Sequence, residues 1–230
     1  MNETIQQISI MALPLIFAVT LHEAAHAWVA DKKGDRTARM LGRITLNPLV
    51  HTDLFGTILI PLLMFTTTGF LFGYAKPVPV NPFNLRRPKQ DMAWVAAAGP
   101  GMNLLLAIIS GFLYWIIVMF NPALLAGGSF FSGTLAPSIL LPVLLMLRFS
   151  VSINLVLMVF NLIPIPPLDG GRVLVGLLPE REARFISRIE PYGMLLLIVL
   201  VFLDPLGLMR RVVWPIVTLF SGYIFGDRIL

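Results

Sequence analysis

Long apolar segments recur along most of this chain, and they constrain its fold more than any other feature. The 230 residues are 57% hydrophobic and 13% charged, and their mean hydropathy is +0.85. Soluble domains do not have this balance, because about a quarter of their residues are charged. No polar stretch is long enough for a separate soluble domain. The composition therefore predicts an integral membrane protein with a single domain over residues 1–230.

Three segments are long and apolar enough to be predicted as membrane-crossing helices, namely residues 5–30, 93–120 and 138–162. Two shorter apolar runs follow at residues 192–203 and 212–225. Together these segments predict an all-α polytopic membrane protein with about five to six membrane helices.

The segment 54–73 is apolar but is interrupted by Gly56, Pro61 and Gly69. Lys and Arg residues flank it on both sides, and basic loops favour the cytoplasmic side of a membrane. A re-entrant segment keeps both flanks on that side, whereas a full crossing does not. We therefore predict that it re-enters, which also predicts a cavity beside it. In the polar loop 31–53, turn residues and β-compatible pieces make a small β-hairpin a candidate.

The formal net charge is +5, and the chain contains no cysteine. Because the Lys and Arg residues cluster between the apolar segments, they indicate how the chain is oriented in the bilayer. They do not indicate a nucleic-acid partner, and none is expected. Loops of this kind contact anionic membrane lipid. We expect a multi-pass protein of the cell membrane without disulfides or thiolate metal ligands.

The first apolar segment contains the pattern HEAAH, with His22, Glu23 and His26. Histidines at positions i and i+4 of a helix lie on one face, where both can bind one zinc ion. The glutamate is rotated from that pair and can act on a water molecule instead. The alternative is a pair of hydrogen-bonded core histidines with Glu23 paired to an arginine. Ionisable residues inside a membrane helix are costly and functional by default, which favours the metal site.

A catalytic zinc site also needs a third protein ligand and one open position. The residues leave four candidates open, which are Asp31, Asp35, His51 together with Asp53, and Asp169. Asp31 and Asp35 follow the helix closely and are interpreted as solvated charges, and His51 as an interfacial side chain. Asp169 is favoured, because a Pro-rich break precedes it and Gly170 and Gly171 let the backbone approach closely.

The motifs HEAAH and NLIPIPPLDGG resemble those of the site-2 proteases, the intramembrane zinc metalloproteases whose signatures are HExxH and NxxPxxxxDG on separate spans. The intervening AAGPGMN and FGYAKPVPVNP resemble the compact bacterial and archaeal branch of this family. The resemblance covers most of residues 15–178. No region of the chain fits the PDZ or CBS domain of larger relatives.

The resemblance implies an intramembrane zinc endopeptidase that hydrolyses membrane-embedded or membrane-adjacent proteins or peptides. It implies that His22, His26 and Asp169 bind the zinc, one Zn²⁺ per chain. The basic loops independently predict that the HEAAH end of the first segment and the start of PPLDGG both lie near the cytoplasmic side. The resemblance also implies that Glu23 is the catalytic base and that Asn161 lies near the site. By its type, Asn161 is the expected donor to the oxyanion, with hydrogen bonding between helices as the alternative. The same two roles are open for Asn103 and Asn154.

The expected domain organisation is a catalytic core over about residues 5–178 and C-terminal helices over about 185–226. Two other function classes stay open, namely a non-catalytic metal-binding or transport protein and an inactive protease-like scaffold. The chain lacks the paired broken helices of many transporters, and an intact Glu23 argues against the scaffold.

A substrate helix must unwind before water attacks it, and the 36–53 loop and the KPVPV stretch are candidate edges for an added strand.

Overall fold

The computed structural model of the protein describes residues 2–51, 56, 59, 76–122, 135–199 and 207–225. Within these ranges the regular structure is helical and includes no β-strand. The α-helices of the described residues are α1 (Asn2–Lys33), α2 (Thr37–Met40), α3 (Pro48–His51), α4 (Pro88–Phe120), α5 (Leu135–Asn161), α6 (Asp169–Leu177), α7 (Glu180–Ser187), α8 (Gly193–Ile198) and α9 (Trp214–Phe225). Short 3₁₀ turns lie at Pro82–Asn84 and Glu190–Tyr192, and a π-helical turn at Met209–Val213 leads into α9.

Three stretches of helix in the described ranges are long and apolar enough to cross a membrane, which are Gln7–Lys33, Pro88–Phe120 and Ile139–Asn161. They coincide with the three segments predicted as membrane helices. Large apolar side chains such as Phe112, Met119 and Phe120 are exposed on α4 and its end, as expected of a surface that faces lipid. The predicted helical membrane fold is confirmed, and the count of five to six crossings is not.

Helix α1 ends where the sequence changes from apolar residues to the charged DKKGD. Gly34 has a φ of 118°, a backbone conformation that side chains other than hydrogen rarely allow. The backbone N–H of Asp35 donates to the carbonyl of Ala30 at 2.9 Å, which satisfies one of the carbonyls left open at the helix end. The chain therefore turns sharply directly after the segment that carries HEAAH.

The long helices pack around α4, which contacts α1 on one side and α5 on another, while the short helix α6 also packs against it. A buried apolar cluster joins α4 and α5 to α9 through residues such as Tyr114, Val151 and Phe225. Close approach depends on Gly111 of α4, where an added Cβ would lie 2.2 Å from Cγ2 of Ile224. This packing brings α1, α4, α5 and the start of α6 together.

The polar region after α1 differs from the candidate β-hairpin. Its described part, residues 31–51, contains the short helices α2 and α3, so the hairpin is not confirmed. A buried Asp35 organises this region by accepting hydrogen bonds from its own loop and from Asn81 and Asn84, which competes with strand pairing. The predicted re-entrant segment 54–73 lies outside the described residues except for positions 56 and 59.

The C-terminal region contains shorter helices. Of the predicted apolar run 192–203, the described part includes α8, and the second run, 212–225, forms the end of the π-helical turn and α9. Helix α9 packs against α5 and α4. Neither described helix reaches the length of a membrane crossing by itself.

Candidate metal centre

Three side-chain atoms from two distant parts of the chain meet beside α4. Nε2 of His22 and Nε2 of His26 lie 3.1 Å apart, and Oδ2 of Asp169 lies 3.2 Å from the first and 3.3 Å from the second. The three residues are no more than 9% exposed. Burial raises the pKa of the Asp169 carboxyl, but its contacts with His22 and His26 outweigh burial and hold the pKa well below its usual range. Asp169 is therefore an anion that faces two imidazoles.

The geometry and chemistry of this cluster fit a zinc ion. A tetrahedral zinc ion with bonds of about 2.0–2.2 Å to nitrogen and oxygen keeps its ligand atoms about 3.3 Å apart, close to the separations of these three atoms. Oδ2 of Asp169 is buried and has no hydrogen-bond partner among the described residues. In the same ranges, neither Asp169 nor Glu23 forms an ion pair with a lysine or arginine. A cation bound by His22, His26 and Asp169 would satisfy these groups.

The loop between α5 and α6 positions Asp169. Residues 162–168 form a tight loop in which the backbone N–H of Leu168 donates to the carbonyl of Ile165 at 3.0 Å. An added Cβ at Gly170 would lie 2.3 Å from the carbonyl oxygen of Leu162, and one at Gly171 2.5 Å from the nitrogen of Pro166. The PPLDGG sequence thus lets the loop fold onto the first turn of α6, whose first residue is Asp169.

The other ring nitrogen of each histidine is held by α4. Nδ1 of His22 lies 2.5 Å from Oδ1 of Asn103, and Nδ1 of His26 lies 2.7 Å from the backbone carbonyl oxygen of Val95. Metal-binding histidines characteristically donate their second N–H to such an acceptor, which fixes the ring and leaves the opposite nitrogen for the metal. Both imidazoles therefore direct Nε2 towards Asp169.

Gly99 of α4 provides the space in which the two imidazoles lie. A Cβ added at this position would lie 2.4 Å from Nε2 of His26 and 2.5 Å from Cε1 of His22. Real Cβ atoms do not come so close, so no larger residue fits without displacing a histidine. The small Gly99 in the AAAGPGMN stretch thus admits side chains of α1 to the surface of α4.

Glu23 contacts the segment that leads into α4. Its Oε2 accepts a hydrogen bond of 2.9 Å from the backbone N–H of Val78, within the KPVPV stretch. The nearby Lys76 N–H donates to the carbonyl of His51 at 3.0 Å, so this stretch is held at both Lys76 and Val78. Glu23, His22 and His26 offer ligand atoms that all lie within 4.8 Å of one another. Glu23 is therefore close enough to act on a molecule at the candidate metal position.

The other three third-ligand candidates of the described chain are engaged elsewhere. Asp31 pairs with Arg39 at 2.6 Å, and Asp35 accepts from Thr37. Asp35 is buried and the side chain of Asp31 is only 6% exposed, so the interpretation of the two as solvated charges was wrong. His51 is also buried, and its Nε2 lies 3.0 Å from the Thr45 carbonyl. Its proposed partner Asp53 lies outside the described residues.

Asn161 ends α5, before the loop that positions Asp169. Its Nδ2 donates to the carbonyl of Leu157 in its own helix at 3.0 Å. The amide nitrogen has two protons, and this bond uses one of them. Among the described residues it makes no hydrogen bond to the three candidate ligands.

Sequence reasoning missed the part that α4 takes in this site. Gly99 and Asn103 contact the histidines directly, and Val78 contacts Glu23. A polar Asn103 one helical turn after Gly99, inside an apolar segment, was the available indication of a shared face. The contact with Val78 involves its backbone, so no side-chain pattern indicates it.

Comparisons with known proteins assign the chain to a family. The family model of Peptidase family M50 matches residues 10–203. A protein of Bacillus subtilis (strain 168) named "Putative zinc metalloprotease YwhC" is 40% identical over 210 residues, which are 89% of this chain and 84% of that protein. Proteins named "Putative zinc metalloprotease Rip2" from Mycolicibacterium smegmatis and Mycobacterium tuberculosis (strain H37Rv) are each 28% identical over 84% and 83% of this chain, and 66% and 65% of their own lengths. No solved structure matches the chain significantly.

The matched range contains His22 and His26, the space provided by Gly99 and the loop that positions Asp169. It also extends over most of the chain and includes two of the three apolar helices in full and the first from residue 10 onwards. This chain therefore belongs to Peptidase family M50, the site-2 protease family that its two motifs resemble.

Proposed function

We propose that this membrane peptidase is an intramembrane zinc endopeptidase whose site is formed by α1, α4 and the first turn of α6. Its family is that of peptidases, and its relatives are named zinc metalloproteases. The observation that carries the proposal is the convergence of two imidazole nitrogens and one carboxylate oxygen within 3.3 Å of one another. The alternative of a non-catalytic metal-binding or transport protein is not favoured by any of these observations.

His22, His26 and Asp169 would hold one zinc ion per chain. When bound, zinc lowers the pKa of a water molecule to about 7 and polarises carbonyl groups. Two neutral imidazoles and one carboxylate are a known set of three protein ligands for a catalytic zinc, which keeps a fourth position open. The ionised state of Asp169 supports this assignment, since ligands must be deprotonated to bind the metal.

Glu23 is the general base and acid of the proposed reaction. Its carboxylate takes a proton from the attacking water and later delivers it to the nitrogen of the leaving amine. The backbone N–H of Val78 donates to Oε2, which orients the carboxylate and leaves Oε1 as the oxygen that takes the proton. Orientation of this kind matters because a base must lie within hydrogen-bond reach of the proton that it moves.

Asn161 is the proposed donor to the oxyanion of the tetrahedral intermediate. Its position at the end of α5, directly before the loop that carries Asp169, supports this role. The amide proton that Leu157 does not use is available for the substrate. A preorganised donor of this kind is typically worth about 10²–10³ in kcat.

We further propose that residues 1–230 form one multi-pass domain of the cell membrane with the site near the cytoplasmic side. The basic loops support this orientation. Five to six membrane helices and a re-entrant 54–73 segment complete the proposed topology. The substrates are membrane-embedded or membrane-adjacent proteins, and membrane lipid surrounds the exposed apolar faces of the helices.

The KPVPV stretch is the proposed edge for an unwound substrate. Pro77 and Pro79 have no N–H, and the N–H groups of Lys76 and Val78 donate inwards. The edge that remains presents the carbonyls of the two prolines, which can accept hydrogen bonds from a substrate strand.

The test of the proposed function is Glu23→Gln in the full chain purified in detergent. Glutamine keeps the size and one oxygen of glutamate but cannot take the proton. We expect cleavage of a transmembrane test peptide to fall by about 10²–10⁴ while the zinc content stays equal to that of the wild type. Full cleavage by the variant would contradict the role of Glu23.

A further inference from the structure

Two buried asparagines extend inwards from the candidate metal centre. Asn103 on α4 is 0% exposed and Asn154 on α5 is 1% exposed. Buried amides at membrane depth are costly unless their donors and acceptors are paired. In this case they are paired in one chain of hydrogen bonds that begins on a backbone carbonyl and ends on His22.

The backbone end of this chain determines which way each amide points. Nδ2 of Asn154 donates to the carbonyl oxygen of Ser150 at 2.8 Å, and a carbonyl can only accept. Oδ1 of Asn154 therefore faces Nδ2 of Asn103, which donates to it at 2.8 Å. Oδ1 of Asn103 in turn faces Nδ1 of His22 at 2.5 Å. An amide flip at either asparagine would place two donors or two acceptors against each other.

This direction assigns the proton of His22. An acceptor oxygen faces Nδ1, so Nδ1 carries the N–H of the neutral imidazole and Nε2 carries a lone pair. Nε2 is the atom directed at His26 and Asp169, and a metal ligand must present a lone pair. In His26 the acceptor that faces Nδ1 is the backbone carbonyl of Val95. A side-chain substitution does not remove this acceptor.

We propose that Asn103 and Asn154 are positioning residues for the metal ligand His22, and that they hold its ring with Nδ1 protonated and Nε2 directed at the metal position. Asn103 acts on the ring directly, and Asn154 acts by fixing the amide of Asn103. This proposal rests on the proposed zinc site. It gives the two asparagines a role beyond joining helices, because their chain of hydrogen bonds ends on a ligand.

A hydrogen bond between the same helices that involves neither Asn103 nor His22 provides a control. Oγ of Ser110 on α4 and Oγ of Ser150 on α5 lie 2.8 Å apart. Oγ of Ser150 also accepts from Nδ2 of Asn154 at 3.3 Å, but the shorter bond of Nδ2 to the Ser150 carbonyl does not depend on Ser110. Ser110 is buried like the asparagines and makes no hydrogen bond to either histidine among the described residues. Ser110→Ala therefore weakens the contact between α4 and α5 without removing any group that orients His22.

The first experiment measures the zinc affinity of the full chain in detergent, by competition with a chelator. We expect Asn103→Leu and Asn154→Leu to lower the affinity by about 10–100-fold, as is typical when the hydrogen-bond partner of a metal-binding histidine is removed. Ser110→Ala keeps the wild-type affinity. Asn103→Asp keeps an acceptor oxygen beside Nδ1 but loses the N–H that donates to Oδ1 of Asn154, so it should restore part of the affinity lost in Asn103→Leu.

The second experiment observes the ring N–H groups by NMR of zinc-loaded protein with ¹⁵N-labelled histidine. The chain has three histidines, so few resonances need assignment. In Asn103→Leu we expect the Nδ1–H of His22 to lose the downfield shift of a hydrogen-bonded proton, while that of His26 keeps it. The retained His26 resonance also shows that the variant has folded.

The outcomes separate this proposal from the proposed function. If the wild type binds no zinc, the proposed function fails. If the wild type binds zinc and Asn103→Leu binds it equally well with an unchanged His22 resonance, the positioning role is wrong. Equal losses of affinity in Asn103→Leu and Ser110→Ala would also overturn it, since general packing would then explain both.

Discussion

Gly99 lies against His26 so closely that an added Cβ would be 2.4 Å from Nε2, the atom directed at the candidate metal. Gly99→Ala must therefore displace His26 or separate α4 from α1. We expect this variant to bind zinc about 10–100-fold more weakly, the range seen when the surroundings of a metal ligand are disturbed. The zinc dissociation constant of the purified variant is the measurement.

Gly101 is the matched control for this prediction. It lies two residues later on α4, and an added Cβ would have no atom within 4 Å. Gly101→Ala should keep zinc affinity and, because alanine favours a helix by about 1 kcal/mol over glycine, leave stability unchanged or slightly higher. Equal zinc affinity in the two variants would show that the space at Gly99 is not needed.

Val78→Pro tests whether the backbone of the KPVPV stretch orients Glu23. Proline lacks the N–H that donates to Oε2 of Glu23 at 2.9 Å, and an extended stretch that already contains Pro77 and Pro79 tolerates it. We expect kcat to fall by about tenfold or more, and by no more than the 10²–10⁴ that general-base catalysis contributes as a whole. Zinc content should not change, because Glu23 is not a proposed ligand.

The control for Val78→Pro is Val78→Ala, which shortens the side chain and keeps the N–H. It should retain most of the activity. If the alanine and proline variants lose activity to the same degree, the side chain of Val78 matters and its backbone hydrogen bond does not.

The carboxylate of Asp35 connects the loop after α1 to the turn before α4. Burial raises the pKa of Asp35, but hydrogen bonds from Thr37, Asn84 and Asn81 outweigh it and lower the pKa below 3.8. A lowered pKa in the folded state means that the ionised carboxylate stabilises the fold above pH 3.8, and that this stability is lost as pH falls through the lower folded value.

Asp35→Asn should therefore lower the free energy of unfolding by about 1.5–3 kcal/mol at neutral pH, the range for hydrogen bonds to a charged group. The difference from the wild type should shrink as the pH falls below 3.8. Thermal unfolding in detergent at several pH values measures both. A difference that is independent of pH would show that the charge of Asp35 does not matter.

The long helices and the candidate ligands could be predicted from the sequence, each from a different feature. Membrane helices follow from apolar length alone, which is why all three long helices were predicted. His22 and His26 follow from helical spacing, and Asp169 was favoured because proline and glycine residues mark its loop. The structure brings all three together, although their roles as ligands remain a proposal.

Contacts that depend on tertiary packing could not be predicted in this way. Asp31 and Asp35 have the composition of a solvated helix end, and only the fold of the following loop shows that their side chains are buried. Asn103 and Asn154 are 51 residues apart, and their pairing depends on how α4 packs against α5. The donor to Glu23 is a backbone N–H, which every residue other than proline has.

The most direct test of the zinc site is metal analysis of the wild type and Asp169→Ala, purified in the same detergent, with cleavage of a transmembrane test peptide scored in parallel. We expect the wild type to contain about one zinc per chain, because its three ligands and open position define a single site. Asp169→Ala should lose most of this zinc and its peptidase activity. Full zinc content and activity in Asp169→Ala would contradict the proposed coordination.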